Sequence, residues 1–266
     1  MPNGVPRTRG PAHIPGFTAP RTGFRPPATV EGPFDCGTNT STSSSTTITL
    51  TTTRTVPVGA KLLLSIEFQA TTPPNSISSI TDNAANPLTY NIDVQDTTAN
   101  INGAIVSADC PFGFPSGSVV TVNFAALGVN KNISADYVVG LVAGVGAFDK
   151  SADTETTSTT SNRFTSGATA TTTQSDELWW GVAGIKAAEA AGTWWDVPFS
   201  QYKLVGSTHY MAVGYWISTV SAAVTASGTY ATQGRNFGIV ATYRAYLARP
   251  PEPVVVSQAV KLSAVI

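Results

Sequence analysis

The sequence predicts an all-β chain, an antiparallel β-sandwich carrying an extended arm at each end. Three features lead there. Apolar residues alternate with polar ones over many short segments, turn-forming residues separate those segments, and no long stretch repeats its apolar residues at the helical period. Composition agrees, because only 12% of the residues are charged while 42% are hydrophobic, against a usual charged share of about 25%. The polar surface must then come from Ser, Thr, Asn and Gly, as in β-rich structural proteins.

The first element stands outside the sandwich. Residues 1–35 carry prolines from Pro2 to Pro33 at short intervals, mixed with glycines and with Arg7, Arg9, Arg21 and Arg25. Proline fixes φ and removes a backbone donor, so neither a helix nor a central strand accommodates this density. With few large apolar groups the segment cannot offset its own ordering entropy, and it reads as an extended, partly polyproline-like arm that orders against a partner. Its arginines are too sparse for a nucleic-acid arm; guanidinium groups suit acidic or carbonyl-rich protein surface equally well.

The sandwich is expected over residues 36–248. In 60–69, Leu62, Leu64, Ile66 and Phe68 fall on one face and Lys61, Ser65, Glu67 and Gln69 on the other, with Leu63 the exception. That is the pattern of a half-buried strand. Similar segments are 46–56, 76–81, 88–94, 101–108, 118–124, 134–145, 177–185, 202–205, 209–218, 225–232 and 236–244, with turns at Pro73-Pro74-Asn75, Asp82-Asn83, Pro115-Ser116-Gly117 and Gln233-Gly234. The Ser/Thr-rich stretch 151–173 reads as loop, and 187–192 as one helical turn at most. The tail, 249–266, opens with Pro250, Pro251 and Pro253 and continues apolar through Val254, Val255, Val256, Val260, Leu262, Val265 and Ile266. An unpaired apolar strand invites aggregation, so Val254, Val256 and Leu262 are expected to add to a sheet, the chain's own or a neighbour's.

Tests for chemistry return little. The histidines are His13 and His209, and no GxSxG is present, so His209 reads as a side chain on a sandwich face. Gly144-Val145-Gly146 begins like a dinucleotide fingerprint, but Asp149 stands where the third small residue is needed. Asp149, Asp153 and Glu155 cluster without the spacing of a calcium loop. Cys36 and Cys110 belong to no CxxC pair and read as two buried thiols. The expectation is a non-enzymatic protein with no catalytic residue, metal or cofactor.

A net charge of -1 provides no field to steer the chain to nucleic acid or an anionic membrane. The longest nearly apolar run, 137–148, is too short and too Gly-rich to span a bilayer, and no secretory signal is visible at the start. A soluble protein made in a cytoplasm is expected.

The pairs Trp179-Trp180 and Trp194-Trp195 are the least ordinary local feature. Adjacent strand residues point to opposite faces, so with Trp180 in the core Trp179 lies outside. Trp179, Trp194 and Trp195 are candidates for a flat sugar platform or for anchors in a protein interface. The competing reading packs every tryptophan into the core or under loops.

Residues 58–244 resemble a jelly-roll-like β-sandwich domain that recurs in actinobacterial secreted proteins and in structural proteins of their phages. The resemblance rests on the apolar strand 61–68 followed by Ile80-Thr81-Asp82, Asn86 and Tyr90, on Leu178 to Gly184, which is similar to a Leu-Leu-x-Gly-x-x-Gly strand, and on the closing Ala241 to Arg244. Together with the two arms it implies a structural component of a bacteriophage virion, assembled in the host cytoplasm. A minor tail protein is the first reading and a capsid decoration or minor capsid protein the second. The implied partners are other virion proteins through both arms, further copies of the chain, and a host-surface glycan. A carbohydrate-binding module is the alternative from another class, and a glycan depolymerase comes third.

Overall fold

Strands account for all the regular structure in the described residues, 29–97, 100–186 and 194–246, of the computed structural model. The first seven are β1 (Glu31–Ser41), β2 (Ser45–Thr51), β3 (Lys61–Ala70), β4 (Ile77–Asp82), β5 (Tyr90–Asp96), β6 (Ile101–Asp109) and β7 (Val119–Val139). The remaining eight are β8 (Phe148–Thr156), β9 (Arg163–Ala168), β10 (Asp176–Ile185), β11 (Trp194–Trp195), β12 (Ser200–Gly206), β13 (Tyr210–Thr219), β14 (Thr225–Thr229) and β15 (Asn236–Arg244). All pairings are antiparallel, as the sequence predicted.

Strand β7 organises the first half of the chain. Its opening part pairs with β2 and β4, and from Gly128 onward it pairs with β3 and then β1. At the change of partner Asn130 takes φ 46°, a left-handed conformation that Asn tolerates better than most residues, and its amide donates to Gln69 Oε1 at 2.8 Å. The two parts of β7 thereby face each other across one core that holds Leu50, Leu62, Leu64, Phe68, Val122 and Phe124. The separate strands expected over 118–124 and 134–145 are thus one long bent strand.

The second half repeats this order. In the larger sheets β1, β7, β3, β6 and β5 correspond to β8, β15, β10, β13 and β12, and in the smaller layers β2, β7 and β4 correspond to β9, β14 and β11. The only difference is that β7 supplies in one piece what β14 and β15 supply in two. This wrapped, jelly-roll-like sandwich therefore occurs twice, over 31–139 and 148–244, where a single unit over 36–248 was expected. Four strands fall outside the expected segments: β8 and β9 lie in or across the Ser/Thr-rich stretch read as loop, β1 begins in the segment read as arm, and β11 is the pair Trp194-Trp195.

The two larger sheets pack against each other. Leu63, Ile101, Ile105 and Val138 from the first unit meet Trp180, Val182, Met211, Val213, Phe237 and Ile239 from the second. This explains Leu63: β3 has a sheet on each side, so both of its faces are buried. Phe237 sets the closest approach, because a Cβ on Gly103 or Gly184 would lie within 2.1 Å of its ring. Both glycines are room for one aromatic side chain.

Polar contacts fix the same interface. Lys203 Nζ reaches Asp136 and Asp35, each at 2.5 Å, and Ser134 Oγ at 3.0 Å; Tyr202 donates to Asp136 at 3.0 Å. Trp180 Nε1 donates to Ser65 Oγ at 3.0 Å, and Tyr243 Oη to Asp93 at 2.6 Å. Each bond joins one unit to the other, so Ser65, read on the outer face of β3, is an interface residue, whereas Lys61 and Gln69 bond to Asp109 and Asn130 of their own unit.

The boundary of the first arm also moves. Residues 31–35, read as arm, belong to β1, with Glu31 opposite Val139 and Asp35 opposite Asp136. Pro33 fits because it falls at a bulge between Glu31 and Phe34 on an edge strand. Arg7, Arg9, Arg21 and Arg25, and Val254, Val256 and Leu262, lie outside the described residues, as does the turn read at 187–192.

Candidate docking surface

Both ends of the described chain converge on Gly140. A Cβ there would come within 2.3 Å of the Thr29 carbonyl oxygen, and the residue holds φ at +90°. Tyr246 donates its N–H to the Gly140 carbonyl at 2.9 Å, while Ala245 donates to Asp176 and Gln174 Nε2 to the Ala245 carbonyl. A cavity of about 240 Å³ between the two ends is lined by Val30, Asp176, Ile217, Ser218, Ala245 and Tyr246. Val30 packs into the core between the units, so the chain is fixed to the body up to its first described residues. In the sequence nothing but Gly140 itself marks this junction, since its partners Thr29 and Tyr246 lie about a hundred residues to either side.

The strand order makes the convergence directional. Strands β3 and β10 both start at this pole, from Lys61 opposite Val138 and from Asp176 beside Ala245, and run to the opposite pole. At about 3.3 Å per residue, ten-residue strands such as these separate the poles by roughly 30 Å.

A groove of about 540 Å³ opens at the same pole, lined by Asn86, Pro87, Leu88, Pro111, Phe112 and Val145 among others. Phe112 is 74% and Val145 81% exposed, values that call for an explanation in side chains of this size and clustering. The charged residue in the lining, Asp109, is already engaged by Lys61 Nζ and by the Gly144 N–H, both at 2.5 Å. Gly144 and Val145, from the loop ahead of β8, form part of the groove's wall.

The tryptophans do not form the candidate platform; the competing reading, in which they pack into the core or under loops, holds for Trp179 and Trp180. Trp179 is 5% exposed and packs with Phe199, Val224 and Val240 beneath the smallest sheet. The reason is again that β10 has a layer on each side, so Trp179 and Trp180 enter two different cores. Trp195 lies over Gly181 and Gly214 and stacks on Phe199 at 5.6 Å. Trp194 alone of the three candidates is displayed, at 69% exposure. Trp216, directly across from Trp179, is part-exposed and was not singled out.

The groups with acid–base potential are internal. Glu67 and His209 are buried at the unit interface, with Glu67 Oε1 3.8 Å from His209 Nδ1 and neither atom hydrogen-bonded. Asn132 donates to the other Glu67 oxygen at 2.5 Å. The cavity beside them, about 10 Å³, holds one water at most. Asp149 accepts from the Thr173 N–H and hydroxyl; against the effect of burial, these bonds hold its carboxyl below the usual range. With Asp153 and Glu155 it belongs to β8 and not to a loop. Cys36 and Cys110 are free and buried, and burial pushes both thiols up to about 12.

Burial pushes the Glu67 carboxyl up to about 8 and His209 down to about 4. A carboxyl whose folded pKa is raised contributes stability that is full below its unfolded value near 4.5 and is lost as pH rises toward 8. A histidine whose folded pKa is lowered contributes stability that is full above 6.5 and is lost as pH falls toward 4. Glu177, also raised by burial to about 7, adds to the alkaline loss only up to that pH. Between pH 7 and 8 the fall in melting temperature is therefore expected to come mainly from Glu67, and Glu67→Gln should flatten it. An unchanged slope in the variant would show that Glu67 is ionised in the fold well below pH 7.

No protein-family model, curated protein or solved structure matches the chain.

Proposed function

We propose that this protein is a non-enzymatic structural component of a larger assembly, a bacteriophage virion, with a minor tail protein as the first reading. The observation that carries it is the convergence of both chain ends at Gly140. Two segments with the composition of docking arms start from one pole of a rigid double sandwich, and the body extends away from that pole. Such a layout suits a protein held at one end and displayed at the other. The low charge and the Thr-rich, Gly-rich surface fit the same role, and so does the resemblance of residues 58–244 to phage structural proteins.

Trp194 belongs to the displayed part. Its strand pairs with the end of β14, opposite Thr229, toward the pole remote from the arms. A single displayed indole serves a protein contact as well as a sugar contact, so the glycan-binding alternative loses the paired platform that first motivated it.

The test is the position of the chain in intact particles. Virions purified by density gradient should contain the protein at a fixed copy number, and antibody against the sandwich should label the tail by electron microscopy. Absence from purified particles would end the virion reading; labelling of the head would replace the tail role by capsid decoration.

A further inference from the structure

We propose that the apolar groove beside Phe112 and Val145 receives the C-terminal tail of a second copy of the chain, so that copies join head to tail. This rests on the reading of the chain as an assembly protein and names one of its partners.

The direction of the last described strand carries the argument. Beyond β15 the chain continues antiparallel to 140–142: Arg244 donates to the Ala147 carbonyl, the Val142 N–H donates to the Arg244 carbonyl, and the Tyr246 N–H donates to the Gly140 carbonyl. Residues 143–146 are looped out beside Arg244, and that loop supplies the Gly144 and Val145 wall of the groove. By Tyr246 the chain has passed the loop and is moving away from it. Pro250, Pro251 and Pro253 follow almost at once. Prolines at this spacing favour a stiff extended path of about 3.1 Å per residue and oppose the sharp reversal needed to return. A return of Val254, Val255 and Val256 to the parent's own groove is therefore disfavoured, which leaves a neighbour's groove as their proposed receiver.

Chemistry matches at the two surfaces. From Val254 to Ile266 the tail has Lys261 as its single charged side chain. The groove has Asp109, already satisfied within its own unit, and presents Phe112, Val145, Pro87, Pro111 and Leu88. Val58, about half exposed, borders it next to Gly113. An extended run of three valines is roughly 10 Å long, a suitable length for such a groove. Because donor and acceptor are different surfaces of the same chain, the contact is heterologous and builds a ring or a filament.

Mixing full-length variants tests this. Val254→Asp/Val255→Asp/Val256→Asp blocks the donor, and Phe112→Asp/Val145→Asp blocks the acceptor; circular dichroism and melting confirm that each is folded, with Val145→Asp alone as the milder acceptor variant. In sedimentation velocity the parent should form species larger than dimers as concentration rises, and each variant alone should remain monomeric. An equal mixture should form dimers and stop there, because one tail and one groove remain usable per pair. The proposal is overturned if the mixture stays monomeric, if the donor variant alone still oligomerises, or if the parent is a monomer with its tail cross-linked to its own groove. A parent that is monomeric yet enters particles normally would remove this contact and leave the virion reading standing.

Discussion

Asp136→Ala is expected to destabilise the protein by about 3–5 kcal/mol, the range for breaking a buried ion pair from one side. Asp136 is fully buried and accepts from Lys203 Nζ, Tyr202 Oη and Ser134 Oγ. Burial raises its carboxyl above the usual range, and the Lys203 ammonium offsets only part of that rise. Without the carboxylate, Lys203 keeps a charge inside the interface, with Asp35 as its remaining counter-ion, and two hydroxyls lose their acceptor. The contrast with Asp35→Ala decides the mechanism. Asp35 makes an equally short contact to Lys203 but is mostly exposed, and such pairs contribute roughly 0–1 kcal/mol. Urea unfolding of both variants should therefore differ severalfold in lost stability. Equal losses would mean that the network acts by geometry and not by desolvated charge. A double replacement, Asp136→Leu with Lys203→Met, should recover much of the loss, because neither buried charge is then left alone.

The same interface marks how far the sequence could be read. Alternation in 62–68 located β3 and one apolar face correctly, since its side chains point to alternate faces and the large apolar ones fill the core of the first unit. Leu63 broke the pattern, and it was the visible sign of a second sheet on the other side. That sheet was otherwise concealed, because Ser65, Glu67 and Asp136 look like solvent-facing residues until their partners Trp180, His209 and Lys203 arrive from 67 or more residues away in sequence. Duplication left no readable trace either. What repeats is strand order, while the second unit uses Gly181, Gly184, Gly214 and Gly238 where aromatic rings and neighbouring backbone pass close. Strand β8 went unrecognised because Asp149, Lys150, Asp153 and Glu155 suit an edge and carry no apolar rhythm. The pole where the two chain ends meet was out of reach for a different reason. Gly140, Thr29 and Tyr246 meet through topology, and no local pattern joins them.

Removing residues 1–28 is expected to leave the melting temperature of the body within about 2 °C of the parent and to abolish incorporation into particles. The cut follows from the structure: Thr29 sits against Gly140, Val30 packs into the interface core, and β1 begins at Glu31. A deletion through residue 35 would strip the pairing of Phe34 and Asp35 with β7 and confuse docking with folding. Residues 1–28 are rich in proline and poor in large apolar groups, so they add little to a hydrophobic core. In an extended path they can still cover much partner surface per residue, and their prolines reduce the entropy lost on docking. On the proposed reading Arg7, Arg9, Arg21 and Arg25 would fix that path by charge-assisted hydrogen bonds. Replacing those four by glutamine should reproduce most of the incorporation defect, whereas replacing them by lysine should do so in part, because an ammonium keeps the charge but loses the bidentate fork. Complementation of a phage lacking the gene, scored by immunoblot of gradient-purified particles, measures each variant. Normal incorporation of the 1–28 deletion would show that the arm does not join the protein to its assembly.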